Sequence, residues 1–247
     1  MRERLKQLWA LSSAELAKEK HGSVVRVADL CQRCGDCADA CASDARQLAG
    51  RWMSVSEVLD TVQKDVVFFD QSGGGITISG GEPLMQTAFV EALLESCRSK
   101  RIPTVLDTCG YADSAVLRRI CGNVDLFLYD LKVMDNQKHQ RFTGVGNDLI
   151  LQNLRILAEC GSNVIVRVPV IPGVNDDEEN INALAGFLMP LDFRDVELLP
   201  YHRTGSDKYH RLRLRYGMEN VSPPTPHQME TIAARLNRYG LTARIGG

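Results

Sequence analysis

The chain has 247 residues, 44% of them apolar, enough to bury a full core as one large α/β domain or a main domain with a small attachment. A formal net charge of −2 with no basic cluster excludes a nucleic-acid surface. No apolar run is long enough to span a membrane, and the charged start Met1-Arg2-Glu3-Arg4-Leu5-Lys6 lacks a signal-peptide core, so the expected setting is cytoplasmic with no membrane partner.

Residues 4–20 carry Leu5, Leu8, Leu11, Leu16 and Ala17 at amphipathic helical spacing, and Gly22 ends the pattern. Next come four of the chain's eight cysteines, Cys31, Cys34, Cys37 and Cys41. In a reducing compartment such a cluster reads as thiols or metal ligands rather than disulfides. The spacing C-x2-C-x2-C-x3-C is the bacterial ferredoxin run for a [4Fe–4S] cluster, whereas zinc sites usually pair two separated knuckles. Ala42 replaces the usual proline, and no second motif supplies the partner cluster that the fourth cysteine of such runs serves. A boundary near residue 50 separates this segment, 1–50, from the remainder, 51–247.

From Ser54 onward helical and strand patterns alternate. Ser54 and Glu57 form a capping box for a helix that turns Val55, Val58, Leu59 and Val62 inward. Strands are expected over 75–79, 102–107, 125–131, 163–169, 195–200 and 241–245. Helices are expected over 87–100, 114–121, 148–160, 177–188 and 225–239. Leu126-Phe127-Leu128 is the unbroken apolar run of a strand covered on both faces. Repeated βα units of this kind define a parallel α/β sheet, and the absence of G-x-G-x-x-G after any strand argues against a dinucleotide fold.

The stretch Ser72-Gly73-Gly74-Gly75-Ile76-Thr77-Ile78-Ser79-Gly80-Gly81-Glu82-Pro83 reads as a buried strand, a turn and a helix begun at Pro83. The glycines expose backbone to a small molecule, and Glu82 adds a charge suited to an ammonium group. No Lys-Ser/Thr follows, so this is not a phosphate loop. Other strands also end in polar groups: Asp107-Thr108, Asp130 with Lys132, Arg167, and Tyr201-His202. Ligands of parallel sheets bind at the carboxyl ends of the strands, so these residues are expected at one mouth.

The segments SGGGITISGGEPLMQ, DTCGYA, DLFLYDLKVMD, FTGVGNDLILQNLRIL, VRVPVIPGVND and LLPYHRTGSDKY, in this order, resemble glycyl-radical enzyme activating enzymes of the radical S-adenosylmethionine superfamily, in the subgroup with a ferredoxin-like insert. The resemblance implies a partial (β/α)6 TIM-like barrel with S-adenosylmethionine at its mouth. It implies Gly80, Gly81 and Glu82 for the methionine amino group, with Asp130, Lys132, Arg167 and His202 at the cofactor. Asp107 and Thr108, with Asp130, match the family's monovalent-cation site, and Cys31, Cys34, Cys37 and Cys41 the insert cluster. The implied partners are a glycyl-radical enzyme and a flavodoxin- or ferredoxin-type electron donor. The implied reaction is reductive cleavage of S-adenosylmethionine to a 5′-deoxyadenosyl radical, which takes a hydrogen atom from a glycine of the partner.

The family's catalytic loop is C-x3-C-x2-C, and no cysteine in these 247 residues has partners at +4 and +7. The expectation is therefore an N-terminally incomplete or diverged activating enzyme, its first barrel strand absent, with no catalytic residue to assign and no activity alone. The alternative is a non-catalytic cofactor-binding or electron-transfer paralogue that keeps one ferredoxin-like cluster.

Overall fold

The computed structural model describes residues 34–43, 48, 50–206, 209 and 215–246. Cys31 and the helix expected over 4–20 lie outside the described residues. The chain divides into two units, Met1–Met53 and Ser54–Gly247. In the first, a single helical turn, α1 (Asp36–Asp39), starts at Gly35, whose φ of 90° is a left-handed value that glycine adopts readily.

The second unit opens with α2 (Val55–Val62), and its capping box is present: Ser54 Oγ accepts from Glu57 N while Glu57 accepts from Ser54 N. A second helix, α3 (Val66–Ser72), follows and is closed by Gly73. The βα series then runs β1 (Ile76–Ile78), α4 (Thr87–Ser99), β2 (Thr104–Thr108), α5 (Ser114–Ile120), β3 (Leu126–Asp130), α6 (Asn136–Thr143), α7 (Asp148–Glu159), β4 (Val164–Val170), α8 (Glu178–Leu188), β5 (Asp195–Pro200), α9 (Pro226–Arg238) and β6 (Thr242–Ile245). All six expected strands are present, and they form one sheet in the order β1-β2-β3-β4-β5-β6, every neighbouring pair parallel. This is the strand order of a partial (β/α)6 barrel.

A sheet that steps always in one direction through crossovers of fixed hand gathers its helices on one face. Leu106, Phe127, Tyr129, Val166 and Leu198 project to that face and pack with Leu94, Leu117, Leu154, Leu184 and Leu236 of the helices in one buried cluster. A smaller cluster joins Leu59 of α2 to Leu93, Cys97 and Ile102, with Val55, Val58 and Val62 against it, as the capping-box helix predicts.

The strands differ from the sequence reading in one respect. Leu126 and Leu128 are only half-buried while Phe127 between them is fully buried, and β2 and β4 alternate in the same way. Among the described residues of the second unit, the helices pack on one face of the sheet. The opposite face carries Asp107, Asp130, Arg167 and Glu197 and is the interior of the partial barrel. Continuous apolar strands satisfy this arrangement because Val105, Leu126, Leu128 and Ile165 still lose much of their exposure on that face.

Besides the single turn α1, two α-helices among the described residues fall outside the sequence reading. α6, Asn-Gln-Lys-His-Gln-Arg-Phe-Thr, buries only His139 and therefore lacks an apolar period. Its signals are local: Asp135 accepts from Lys138 N at its start, and Gly144 adopts φ 87° at its end. α3 likewise has no fully buried residue.

Candidate functional site

The carboxyl ends of β1 to β4 converge on a polar cavity of about 190 Å³. Gly80, Gly81 and Glu82 from the turn after β1 line it, as do Asp107 and Thr108 of β2, Asp130 and Lys132 at the end of β3, and Arg167 of β4. Eight of the residues singled out in the sequence are thus brought together. Register explains part of this: Asp130 is paired directly with Arg167 in the parallel ladder, so both side chains leave the sheet on the same face.

Glu82 is the most fixed of the group. Its Oε1 accepts from Leu84 N at 3.1 Å and from the Thr108 hydroxyl at 2.6 Å, and its Oε2 accepts from Cys109 N at 2.9 Å. The first contact makes Glu82 the cap of a 3-10 turn, Pro83–Gln86, which leads into α4; Pro83 starts that turn rather than the helix itself. Two oxygens offer about four acceptor positions; besides these three donors, the Cys109 thiol, a weak donor, also hydrogen-bonds the carboxylate.

The glycines divide by role. Gly73 closes α3 and Gly75 lies against the Pro103 carbonyl, so the first cluster serves the fold. Gly80 has φ 141°, which side-chain-bearing residues rarely adopt. Gly81 has no positive φ, and a Cβ there would meet nothing within 4 Å, so the protein itself gives no reason for its bare backbone.

Arg167 lies between two carboxylates. Its Nε and Nη2 donate to Asp130 Oδ1 at 3.1 and 2.9 Å, and Nη2 also pairs closely with Asp107 Oδ1. Ser79 donates to the other Asp107 oxygen at 2.9 Å. Lys132 Nζ is 3.5 Å from Asp130 Oδ2, a looser contact, and its side chain is 37% exposed. Of the two cations at the cavity, Lys132 is therefore the more available to a ligand. The carboxylates matched to a cation site, Asp107 and Asp130, both face Arg167, and the Thr108 hydroxyl is committed to Glu82. A metal ion held there would compete with a guanidinium.

His202 does not join the group: it is exposed, pairs through Nδ1 with the Thr204 hydroxyl, and does not line the cavity. Conversely, Ser79 and Cys109 line it without having been singled out in the sequence. Each directly adjoins a residue that was, which is the only signal they give.

Burial, reinforced by the neighbouring Glu82 carboxylate, pushes the Cys109 thiol up to about 11. Because the thiolate is the nucleophile, Cys109 is expected to react slowly with iodoacetamide at pH 8 and faster as pH approaches 11. Peptide mass mapping of the native and urea-unfolded chain measures this; equal rates at pH 8 would contradict the assignment. The sign for stability agrees. A raised folded-state pKa favours the fold below the unfolded thiol's value of about 8.5. That contribution is lost as pH rises through about 11.

In the first unit, Cys34 and Cys37 are exposed and Cys41 is half-buried, its Sγ 3.6 Å from Ser43 Oγ. The donor chemistry suits an iron–sulfur cluster. Among the described residues, however, no three His, Cys, Asp or Glu side chains are gathered to hold a metal, and Cys31 lies outside them.

The Radical SAM superfamily matches residues 33–185. The chain is 41% identical over 208 residues to the trans-4-hydroxy-L-proline dehydratase activating enzyme of Clostridioides difficile, covering 83% of this chain and 69% of that protein. It is 46% identical over 183 residues to the isethionate sulfite-lyase activating enzyme of Oleidesulfovibrio alaskensis, covering 73% of this chain and 59% of that one. A solved domain of pyruvate-formate lyase-activating enzyme from Bacteroides vulgatus shares the fold at TM-score 0.60 and 36% identity, covering 70% of this chain and 99% of the domain. The chain belongs to the Radical SAM superfamily and, within it, to the glycyl-radical enzyme activating enzymes. That family uses S-adenosylmethionine and a [4Fe–4S] cluster. The chain spans 59% to 69% of the length of the two relatives named above. Among the described residues no helix is long and apolar enough to cross a membrane.

Proposed function

We propose that the cavity at the ends of β1 to β4 binds the methionine part of S-adenosylmethionine, and that this chain carries the cofactor-binding barrel of an activase whose partner is a glycyl-radical enzyme. The carrying observation is Gly81: it lines the cavity, yet neither φ nor packing accounts for its missing side chain. A ligand lying against the Gly80-Gly81 backbone accounts for it.

Charge supports the same reading. Glu82, Asp107 and Asp130 against Lys132 and Arg167 leave one net negative charge at the cavity. S-adenosylmethionine, with an ammonium, a sulfonium and a carboxylate, carries one net positive charge. Glu82 takes the ammonium, a stronger donor than the Cys109 thiol it displaces, and Lys132 takes the carboxylate. The cavity is smaller than the ~300–1,000 Å³ of most ligand sites, which suits the amino-acid end of a ligand whose adenosine extends outward. When bound, the cofactor supplies a sulfonium–carbon bond open to one-electron reductive cleavage. This chain's residues bind and orient it. Asp107 and Asp130 hold Arg167, and no monovalent cation is included.

This chain alone binds the cofactor without cleaving it, because its sequence contains no C-x3-C-x2-C loop. The electron donor of the intact system is of flavodoxin or ferredoxin type. The test compares Gly81→Ala with the parent chain after anaerobic iron–sulfur reconstitution. The variant is expected to melt at the same temperature, since its Cβ meets no protein atom, and to bind S-adenosylmethionine about tenfold more weakly. Neither protein forms 5′-deoxyadenosine with dithionite. Unchanged affinity in the variant would sink the pocket assignment, and cleavage by the parent would sink the non-cleaving one.

A further inference from the structure

Lys132 holds its place through a loop that has no regular structure. The segment after β3 makes few ladder bonds, and its three consecutive carbonyls at Lys132, Val133 and Met134 are each met by a buried asparagine from elsewhere in the chain. Asn175 Nδ2 donates to Lys132 O at 2.6 Å and to Pro169 O at 2.6 Å, and its Oδ1 accepts from Ile171 N at 2.8 Å. Asn147 Nδ2 donates to Val133 O at 3.0 Å and to Met134 O at 2.8 Å. Asn180 Oδ1 accepts from Met134 N at 2.8 Å, and its Nδ2 donates to Asn175 O at 3.0 Å, locking the first amide to the third. The three are 1%, 2% and 7% exposed for Asn175, Asn147 and Asn180.

Only a carboxamide can serve here. Each site needs donors to carbonyls, and two of the three also need an acceptor on the same planar group. Aspartate would set an anion against those carbonyls, and alanine would leave them buried and unpaired. Asn175 also ties the end of β3 to the end of β4, the two strands that deliver Asp130 and Arg167.

We infer that Asn147, Asn175 and Asn180 form a clamp of positioning residues that fixes the Lys132 backbone and so aims its ammonium into the cavity. The inference rests on the cofactor-binding reading for what Lys132 meets there, but not for the clamp itself. A lysine on a mobile backbone would lose backbone freedom on every encounter with a ligand; one on a fixed backbone has lost it already on folding.

Two measurements on the full chain test it, with Asn175→Ser as the main variant and Asn147→Ser as a second in case the first does not fold. The first is the acetylation rate of Lys132 by a small N-hydroxysuccinimide ester, read by peptide mass spectrometry against exposed Lys100. Loosening the clamp is expected to raise the Lys132 rate several-fold relative to Lys100, and an unchanged ratio overturns the clamp whatever the chain binds. The second is a double-mutant cycle on S-adenosylmethionine affinity. Asn175→Ser is expected to weaken binding about tenfold in the parent chain and less than about twofold when Lys132 is already alanine. Equal losses in both backgrounds would make the asparagine merely structural and overturn the positioning role. A parent chain that binds no S-adenosylmethionine would defeat the cofactor reading, while the acetylation ratio still decides the clamp.

Discussion

Glu82→Gln is expected to weaken S-adenosylmethionine binding by about 10- to 100-fold, the range that follows from losing one charge-assisted hydrogen bond worth about 1.5–3 kcal/mol. The loss has two sources. The ammonium no longer meets a negative charge, and the substituted amide cannot satisfy the protein as the carboxylate does. Glu82 accepts from Leu84 N and the Thr108 hydroxyl on one oxygen and from Cys109 N on the other. Glutamine keeps one of these oxygens and turns the other into a donor, so either Cys109 N faces an NH2 group or the Leu84 and Thr108 donors do. The variant is therefore also expected to lose about 1–3 kcal/mol of stability from an unsatisfied group. Calorimetric titration and urea unfolding at pH 7 measure the two losses separately. Affinity within twofold of the parent chain would contradict the role given to Glu82.

The second large effect belongs to Arg167→Met. Methionine keeps most of the length and loses the guanidinium, leaving Asp107 and Asp130 facing each other without their shared cation. Removing one partner of a buried ion pair costs about 3–5 kcal/mol. Here the three side chains are 17%, 21% and 24% exposed for Arg167, Asp107 and Asp130, so solvent screening lowers the expectation to about 2–3 kcal/mol at pH 7. The penalty should shrink as pH falls, because protonating one carboxyl relieves the repulsion that the variant creates. Arg167→Lys should recover little, since a point charge cannot replace a planar fork that reaches two carboxylates. Urea midpoints from pH 4 to 7 read this out. A penalty independent of pH would indicate that packing, not charge, is what Arg167 supplies.

The frame of the fold was legible because its strands are short β-branched and apolar runs between turn signals, and its larger helices carry apolar periods. α6 was not, since its single buried residue, His139, gives no period, and only Asp135 and Gly144 mark its ends. The exposure of the inner face was also hidden. A continuous run such as Leu126-Phe127-Leu128 looks the same whether helices cover both faces or one face turns into a barrel interior.

Much of the site was legible for a reason of topology. Parallel strands end at one rim, so Glu82, Asp107, Asp130, Lys132 and Arg167 share a location once each is placed at its strand end. His202 obeys the same rule but turns outward, where its ring pairs with Thr204. The asparagine clamp could not be read at all. Asn175 lies 43 positions from the carbonyl it holds at Lys132, and a polar residue in a loop gives no hint of such a bond until the chain is folded.

A crystal structure of the chain grown anaerobically with S-adenosylmethionine decides whether this cavity holds the amino-acid end of the cofactor. The ammonium is expected within hydrogen-bond distance of Glu82 Oε2, the cofactor backbone against Gly80 and Gly81, and its carboxylate beside Lys132. Cofactor bound away from the β1 to β4 rim, or lying over it with Glu82 and Gly81 untouched, would rule out the site proposed here.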